Sequence, residues 1–351
     1  MKLRKYTGII ISVILIFSAA GCKNRNIYVA DNTEYKKSFS AMDTYMTFTA
    51  YGKNAEEGLE RAADRIMEIE KVFSVTDKDS EVYGINNRTE QTVEISNELM
   101  HVLKDALDIS SKSKGAFDIS VYPVLRAWGF TTGNYRVPSE QEIQKLSGNV
   151  GYDRIKLDSG ANTVTLEQDM EIDFGGIAKG YSGDEAVKIL RDSGVDSAIL
   201  SLGGNIQALG TKPDGTAWTV AVKDPDQTES YMGILKIKNQ AVVTSGGYER
   251  FFEDENGEIY WHILNPKTGY PAKSGLLSVT VIGNCGMDCD ALSTTLFVKG
   301  LDGAAEYWKE YGGFDAVFIT EDHEVYITEG IKDTFTLEGQ YQDRNLKVIE
   351  K

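Results

Sequence analysis

The sequence predicts an α+β protein in which mixed, largely antiparallel sheets pack with helices in a body of two lobes. Three observations predict it. Hairpin-like strand pairs are interspersed with isolated helices, and no strand–helix–strand unit repeats. Helical patterns fill the first third, and strand composition dominates from about residue 154 onward. The chain has 351 residues, which at roughly 150 residues per domain allows about two domains, or one large body with two lobes.

Residues 37–51 alternate loosely and are rich in Phe, Tyr and Thr, which predicts a strand interrupted at Ala41-Met42-Asp43-Thr44. Asn54 caps a helix on which Leu59, Ala62, Ile66, Ile69 and Phe73 recur every three to four residues. A second helix opens at Ser96 or Asn97 and runs to about Ser111, with Leu99, Val102, Ala106 and Ile109 on one face. Ser139 and Glu142 form a capping-box pattern for a short third helix. Residues 154–157 and 163–166 predict a hairpin around Ser159-Gly160, and a glycine-rich turn then leads into a helix over about 179–192. Strands are expected at 197–202, 217–223, 234–238, 242–244, 259–263 and 276–282. Two helices, 287–298 and 303–311, and two strands, 316–320 and 325–328, close the order.

Ahead of this body, Lys2, Arg4 and Lys5 precede an apolar run over 9–17, followed by Ser18-Ala19-Ala20-Gly21-Cys22. The run falls short of the about 20 apolar residues a helix needs to span a bilayer. A basic start with a small-residue exit instead predicts a signal peptide over 1–21. Gly before Cys predicts further that Cys22 is lipidated (a palmitate-bearing lipoprotein N-terminus), with plain secretion or a signal anchor as alternatives. Residues 22–35 then form a lipidated tether and 36–351 the folded body, lipid-anchored to the cell membrane on its extracytoplasmic face. Loss of 1–21 takes three positive charges from a net charge of −16 and leaves −19. The acyl group, not surface charge, would hold such a body at the membrane. An excess of 53 Asp+Glu over 37 Lys+Arg also excludes a nucleic-acid polymer as partner, because it repels a phosphate backbone. A small polyanion would need a metal ion or a local nest of donors.

Several segments carry candidate chemistry. Glu171-Ile-Asp173-Phe-Gly175-Gly176-Ile-Ala-Lys179-Gly180 sits at a strand-to-helix junction. Its glycines let N–H groups approach an anion, the helix start adds positive potential and Lys179 adds a charge, which suits a diphosphate. A tight turn with a surface lysine is the structural alternative. Asp290 and Thr294, four apart on a predicted helix, face one way, and a carboxylate with a hydroxyl suits Mg²⁺. The alternative is an Asp favoured by the helix dipole and a Thr packing its methyl inward. His262, at a strand end before a Pro/Gly turn, is a candidate base or ligand contact, or else a partly buried structural residue. Ser201-Leu-Gly203-Gly204-Asn205 and Thr244-Ser245-Gly246-Gly247-Tyr248-Glu249-Arg250 are further glycine-rich corners, and the hydroxyls of the second suit a phosphate or a carbonyl. His101 and His323 have no partners in the pattern, and no Ser/His/Asp or Cys/His nucleophile arrangement emerges. Cys285 and Cys289 lack the further Cys or His of a tetrahedral metal site, and their spacing on a helix suits a disulfide poorly. Buried free thiols are expected there.

Ala116-Phe117-Asp118-Ile-Ser-Val-Tyr-Pro123 with Trp128-Gly129-Phe130, the Asp173–Gly180 segment, Leu202-Gly-Gly-Asn205-Ile206, Thr244-Ser-Gly-Gly-Tyr-Glu-Arg250, His262-Ile-Leu-Asn-Pro266-Lys-Thr-Gly269 and Asp290-Ala-Leu-Ser-Thr294 form a set. In order, and over roughly residues 38–335, the set resembles the FAD:protein FMN transferases of the ApbE family. The resemblance implies FAD in a cleft between two lobes, with Mg²⁺ on its diphosphate. It implies an enzyme that moves FMN from FAD to a Thr or Ser hydroxyl in the flavinylation motif of an exported acceptor protein, releasing AMP. Met42, Ala116, Phe117, Asp118, Asp173, Lys179 and His262 would contact FAD. The side chains of Asp290 and Thr294 and the carbonyl of Gly176 would hold Mg²⁺. Asp290 or His262 would be the base. The charge balance agrees, since attack beside two phosphates in an acidic protein needs a divalent cation and Lys179 to offset repulsion and stabilise the leaving AMP. Three positions depart from the family pattern: Asp43 stands in place of Gly, Thr76 in place of an aromatic, and Asn265 in place of Asp. Tyr83 is the candidate substitute for the missing ring. A metal-dependent FAD pyrophosphatase and a non-catalytic FAD-binding lipoprotein are the alternative readings.

Overall fold

The computed structural model describes residues 32–227 and 229–351. The signal peptide, Cys22 and most of the tether lie outside the described residues. Strands β1 (Glu34–Ala41) and β2 (Thr44–Tyr51) pair antiparallel along their whole length, with Ala41 opposite Thr44. Between them Met42 and Asp43 both adopt left-handed backbone, φ 52° and 56°. Two such residues make the tight turn whose twist matches that of the strands it joins. The departure at Asp43 is therefore tolerated, because Asp enters this region more readily than most residues. The interruption expected within 37–51 is the tip of a hairpin.

Helix α1 (Ala55–Phe73) buries the stripe the spacing predicts. The chain continues through α2 (Glu81–Asn86), β3 (Thr92–Glu94), α3 (Asn97–Ser113), α4 (Tyr122–Trp128), α5 (Glu140–Ser147), β4 (Lys156–Asp158) and β5 (Thr163–Thr165). Helices α2 and α4 are absent from the expected set; with six and seven residues, neither is long enough for a helical period to show. The expected hairpin begins later than residue 154, because Tyr152–Arg154 form a 3₁₀ turn. Next come α6 (Ala178–Asp192), β6 (Ser197–Leu202), β7 (Asn205–Leu209), β8 (Trp218–Lys223), β9 (Tyr231–Ile237) and β10 (Ala241–Gly246). Four short strands follow, β11 (Phe251–Glu253), β12 (Ile259–Trp261), β13 (Leu264–Asn265) and β14 (Tyr270–Pro271), and then β15 (Leu276–Gly283). The chain closes with α7 (Gly286–Tyr311), β16 (Asp315–Thr320), β17 (Val325–Thr328), β18 (Phe335–Leu337) and β19 (Leu346–Ile349). The two helices expected at 287–298 and 303–311 are the two arms of α7, which kinks at Gly300, φ 69° and ψ 174°. Only glycine adopts that backbone without strain.

Nine strands form the main sheet, in the order β1-β2-β6-β7-β10-β15-β16-β17-β19. Every neighbouring pair is antiparallel except β17 with β19. Alternation along the central strands sorts the core into layers. Val243, Val281 and Phe318 pack against Leu296, Phe297 and Trp308 of α7. Val242, Ile282 and Val317 face the opposite way, onto the small sheet β18-β9-β8. Helices α1 and α6 cover β2 and β6 through Leu59, Ile66 and Leu190. A further cluster gathers α2, α3 and β5 around Phe117, Phe174 and Tyr181, and so joins the first third of the chain to α6 and α7. The expected α+β, largely antiparallel architecture is what forms.

Candidate active site

One cavity, of about 270 Å³, brings together Met42, Ala116, Phe117, Asp118, Asp173, Gly176, Lys179, His262, Asp290 and Thr294. These are the residues that the sequence assigns to FAD, Mg²⁺ and the base within the body; Tyr83, the candidate substitute ring, is not among them.

The floor is built where the starts of α6 and α7 meet. A Cβ on Gly180 would lie 2.1 Å from the Gly286 carbonyl oxygen and 2.7 Å from Asp290 Cβ, and one on Gly286 would lie 1.8 Å from Gln207 Nε2. Lacking side chains, the two glycines let the helices close until the Gly180 N–H donates to Asp290 Oδ2 at 2.9 Å. Asn205, the first residue of β7, donates from Nδ2 to Asp290 Oδ1 at 3.1 Å. Asp184, on α6, accepts from the N–H groups of Gly286 and Met287 at 2.8 Å each and from Gln207 Nε2 at 2.9 Å. A carboxylate there satisfies the open donors at the start of α7. Burial raises the Asp290 pKa, while Lys179, the Gly180 N–H and Asn205 oppose that rise.

Thr294 lies one turn beyond Asp290. Its Oγ1 is 3.3 Å from Ser245 Oγ, which is itself 2.7 Å from Ser293 Oγ. A Cβ on Gly176 would sit 3.6 Å from Thr294 Oγ1, so the Gly176 backbone is adjacent. One carboxylate, one hydroxyl and one carbonyl are hard oxygen donors that fit Mg²⁺. Among the described residues no group of three or more His, Cys, Asp or Glu forms a metal cage. A cation here would take its remaining ligands from water or from a ligand's own oxygens.

His262 lies just past β12, which ends at Trp261 and not at 263 as expected. Its Nδ1 is 3.2 Å from the Arg250 carbonyl oxygen. A carbonyl only accepts, so Nδ1 carries the proton and Nε2 keeps a lone pair. Burial, with the charges of Arg250 and Lys179, pushes the His262 pKa down to about 4. The imidazole is neutral at pH 7, whereas both Asp290 oxygens already accept hydrogen bonds and Asp290 is only 5% exposed. Of the two candidate bases, His262 offers Nε2, a proton-accepting atom with no hydrogen-bond partner among the described residues.

The remaining contacts differ in kind. The Asp118 carboxylate is committed: Oδ1 accepts from Ser120 N and Oγ at 2.9 and 2.6 Å, and Oδ2 from Tyr152 N at 2.9 Å. It stiffens the cavity wall and has little left for a ligand. Asp173 Oδ1 accepts from Gly175 N at 2.8 Å; burial raises its pKa against that bond and the Arg250 charge. Met42 is pinned through its N–H to Glu70 Oε1 at 2.7 Å. Thr76 lines the cavity, but Tyr83, the expected substitute ring, is not among the lining residues; Phe73, Phe117, Phe130 and Phe174 are. Thr244 and Ser245, whose hydroxyls suit a phosphate or a carbonyl, line it too, and so do Glu70, Glu249 and Arg250, to which the sequence assigns no role. Glu249 and Arg250 lie in the same glycine-rich segment, while Glu70 sits in α1 with nothing to mark it. Cys285 and Cys289 are both free, Cys289 buried as expected and Cys285 only half-buried, and burial raises both thiol pKa values, Cys285 to about 12. His323, unpartnered in the sequence pattern, meets Asp226.

Comparison with known proteins adds three findings. The model of the ApbE family matches residues 42–318. A relative from Treponema pallidum (strain Nichols), named FAD:protein FMN transferase, is 30% identical over 348 residues, covering 93% of this chain and 95% of its own. One of the same name from Klebsiella pneumoniae (strain 342) is 30% identical over 90% of this chain and 98% of its own. Among solved structures, the apbe protein of Thermotoga maritima superposes with a TM-score of 0.81 at 32% identity, covering 86% of this chain and 99% of that one. Flavin transferase ApbE from Vibrio cholerae superposes with a TM-score of 0.78 at 24% identity over 86% and 99%, a likeness of fold.

Proposed function

This chain belongs to the ApbE family, and we propose that its cavity carries out Mg²⁺-dependent transfer of FMN from FAD to a Thr or Ser hydroxyl of an exported acceptor protein, with release of AMP. It is an FAD:protein FMN transferase, as its relatives are named. The observation that carries the chemistry is the junction of α6 and α7, which puts Lys179, Asp290 and Thr294 on one cavity with His262.

Asp290, Thr294 and the Gly176 carbonyl would hold Mg²⁺, which when bound offsets the charge of the diphosphate and of the departing phosphate. Lys179 adds a fixed positive charge on the same side. His262, held by the Arg250 carbonyl with Nε2 free, accepts the proton of the acceptor hydroxyl as its oxygen bonds to the FMN phosphorus. The bond from that phosphorus to the bridging oxygen breaks, and AMP leaves with the electron pair. Cys22 and the leader before it support a lipid anchor that holds this activity on the extracytoplasmic face, where exported acceptors carrying a Ser/Thr flavinylation motif would be met.

The test is to incubate the full chain with FAD, Mg²⁺ and an acceptor protein bearing such a motif. Covalent FMN on the acceptor with equimolar AMP is expected. Free FMN and AMP, formed at a rate the acceptor does not change, would instead assign water as the attacking group.

A further inference from the structure

An aromatic wall leaves the cavity and runs out to solvent. Phe130 and His262 line the cavity, with ring centroids 6.3 Å apart. Phe130 touches Phe252 and Tyr135 at 5.7 Å each; Tyr135 stacks on Phe252 at 5.3 Å, and Phe252 on Tyr260 at 5.4 Å. Trp128, fully buried, lies beneath Tyr260 at 5.1 Å and meets Tyr270 at 5.9 Å. The short β11–β12 hairpin makes this possible, since Phe252 and Tyr260 are opposite in its register and so share one face.

None of Tyr135, Phe252, Tyr260 and Tyr270 lines the cavity itself. Tyr135 and Tyr270 are 47% and 38% exposed. Of the nine exposed large apolar side chains among the described residues, Tyr135, Val137 and Tyr270 fall in these segments, while Phe251 and Ile259 lie on the other face of the β11–β12 hairpin, since residues alternate faces along a strand. Tyr135 and Tyr270 are joined through Phe252, Tyr260 and Trp128 into one continuous aromatic run, the kind of contiguous apolar patch that marks a binding surface. Arg136 pairs with Glu142 and Lys273 with Glu258, while Glu253, Asp254 and Glu255 at the hairpin make no ion pair among the described residues.

We propose that this wall docks the acceptor polypeptide, as an extended hydroxyl-bearing segment lying along Tyr270, Tyr260, Phe252 and Tyr135 with its hydroxyl delivered to His262. The inference rests on the transferase reading above. A protein acceptor has to present one side chain inside the cavity, and an extended chain is the form narrow enough to enter. Half-exposed tyrosines provide rigid, amphipathic contact area at low entropic cost, as interface anchors do. A wall that begins at the proton acceptor and ends in solvent spans the path such a segment would take.

The test uses the full chain, FAD, Mg²⁺ and the same motif-bearing acceptor protein, with Tyr135→Ser and Tyr270→Ser made singly and together. For the double variant the acceptor KM should rise by about tenfold or more, the loss of interface anchors, with kcat and the FAD Kd within about twofold of wild type. Tyr135→Phe, which keeps the ring, should retain the wild-type acceptor KM. Circular dichroism of each variant checks the fold. An unchanged acceptor KM in the folded double variant overturns the proposal. So does a change in oligomeric state with unchanged KM, which would assign the wall to a second copy of this chain. If the wild-type chain binds FAD but labels no acceptor, the transferase reading fails, and docking fails with it.

Discussion

His262 and Asp290 show how the same cavity gives two titratable groups different work. The Arg250 carbonyl fixes the His262 tautomer, and burial with two nearby cations keeps the ring neutral. A base must be unprotonated to act, and a group with a pKa of about 4 is about nine-tenths unprotonated at pH 5. The acid limb of kcat/KM for the acceptor should therefore fall near pH 4, not near the 6.5 of a free imidazole. Replacing the ring, His262→Ala, should slow transfer by about 10²–10⁴-fold while FAD binding, followed by flavin fluorescence, is retained. Asp290 is held by two donors, and one is a side chain that can be removed. Asn205→Ala should weaken Mg²⁺ activation by about 10–100-fold, seen as a shifted Mg²⁺ titration with the maximal rate largely recovered at saturation. That Asp290 and Thr294 face the same way follows from their spacing on one helix. The Asn205 contact does not, because it joins residues 85 positions apart across a sheet whose order no local pattern encodes.

At the scale of elements, the site depends on how closely α6 and α7 approach. Gly180→Ala would push a methyl into the Gly286 carbonyl, and Gly286→Ala would push one into Gln207. Each should cost about 1–3 kcal/mol by chemical denaturation and displace Asp290, so activity should fall further than stability. Asp184→Ala removes the cap of α7 and should cost about 0.5–2 kcal/mol. The helices themselves were legible: the stripes on α1 and α3 and the pause between the two arms of α7 follow from apolar spacing and one glycine. The hairpin tip at Met42-Asp43 read only as an interruption, since neither residue is the glycine that usually marks such a turn. Helices α2 and α4 and strand β11 are too short to carry a period, so the pairing of β11 with the expected β12, on which the aromatic wall depends, does not show in the sequence. Tyr83 lies outside the cavity lining because the six-residue helix α2, which no local pattern announces, sets its position.

For the whole molecule, an acidic surface and a dinucleotide substrate are compatible because the positive charge is local. Glycine backbone and Lys179 are gathered at one junction, where the proposed Mg²⁺ would add its charge, while the net charge of −16 belongs to the chain at large. Ligands that bind only the folded state stabilise it: FAD with Mg²⁺ at about 100 times Kd should contribute about 2.7 kcal/mol. That should raise the Tm by several degrees, with EDTA reversing part of the rise. The most direct measurement is the intact mass of the motif-bearing acceptor after incubation with the full chain, FAD and Mg²⁺. A gain of one FMN per acceptor, matched mole for mole by AMP and abolished by EDTA or by Asp290→Ala, is the expected result. An unmodified acceptor beside free FMN and AMP, or labelling that persists in EDTA, would contradict it.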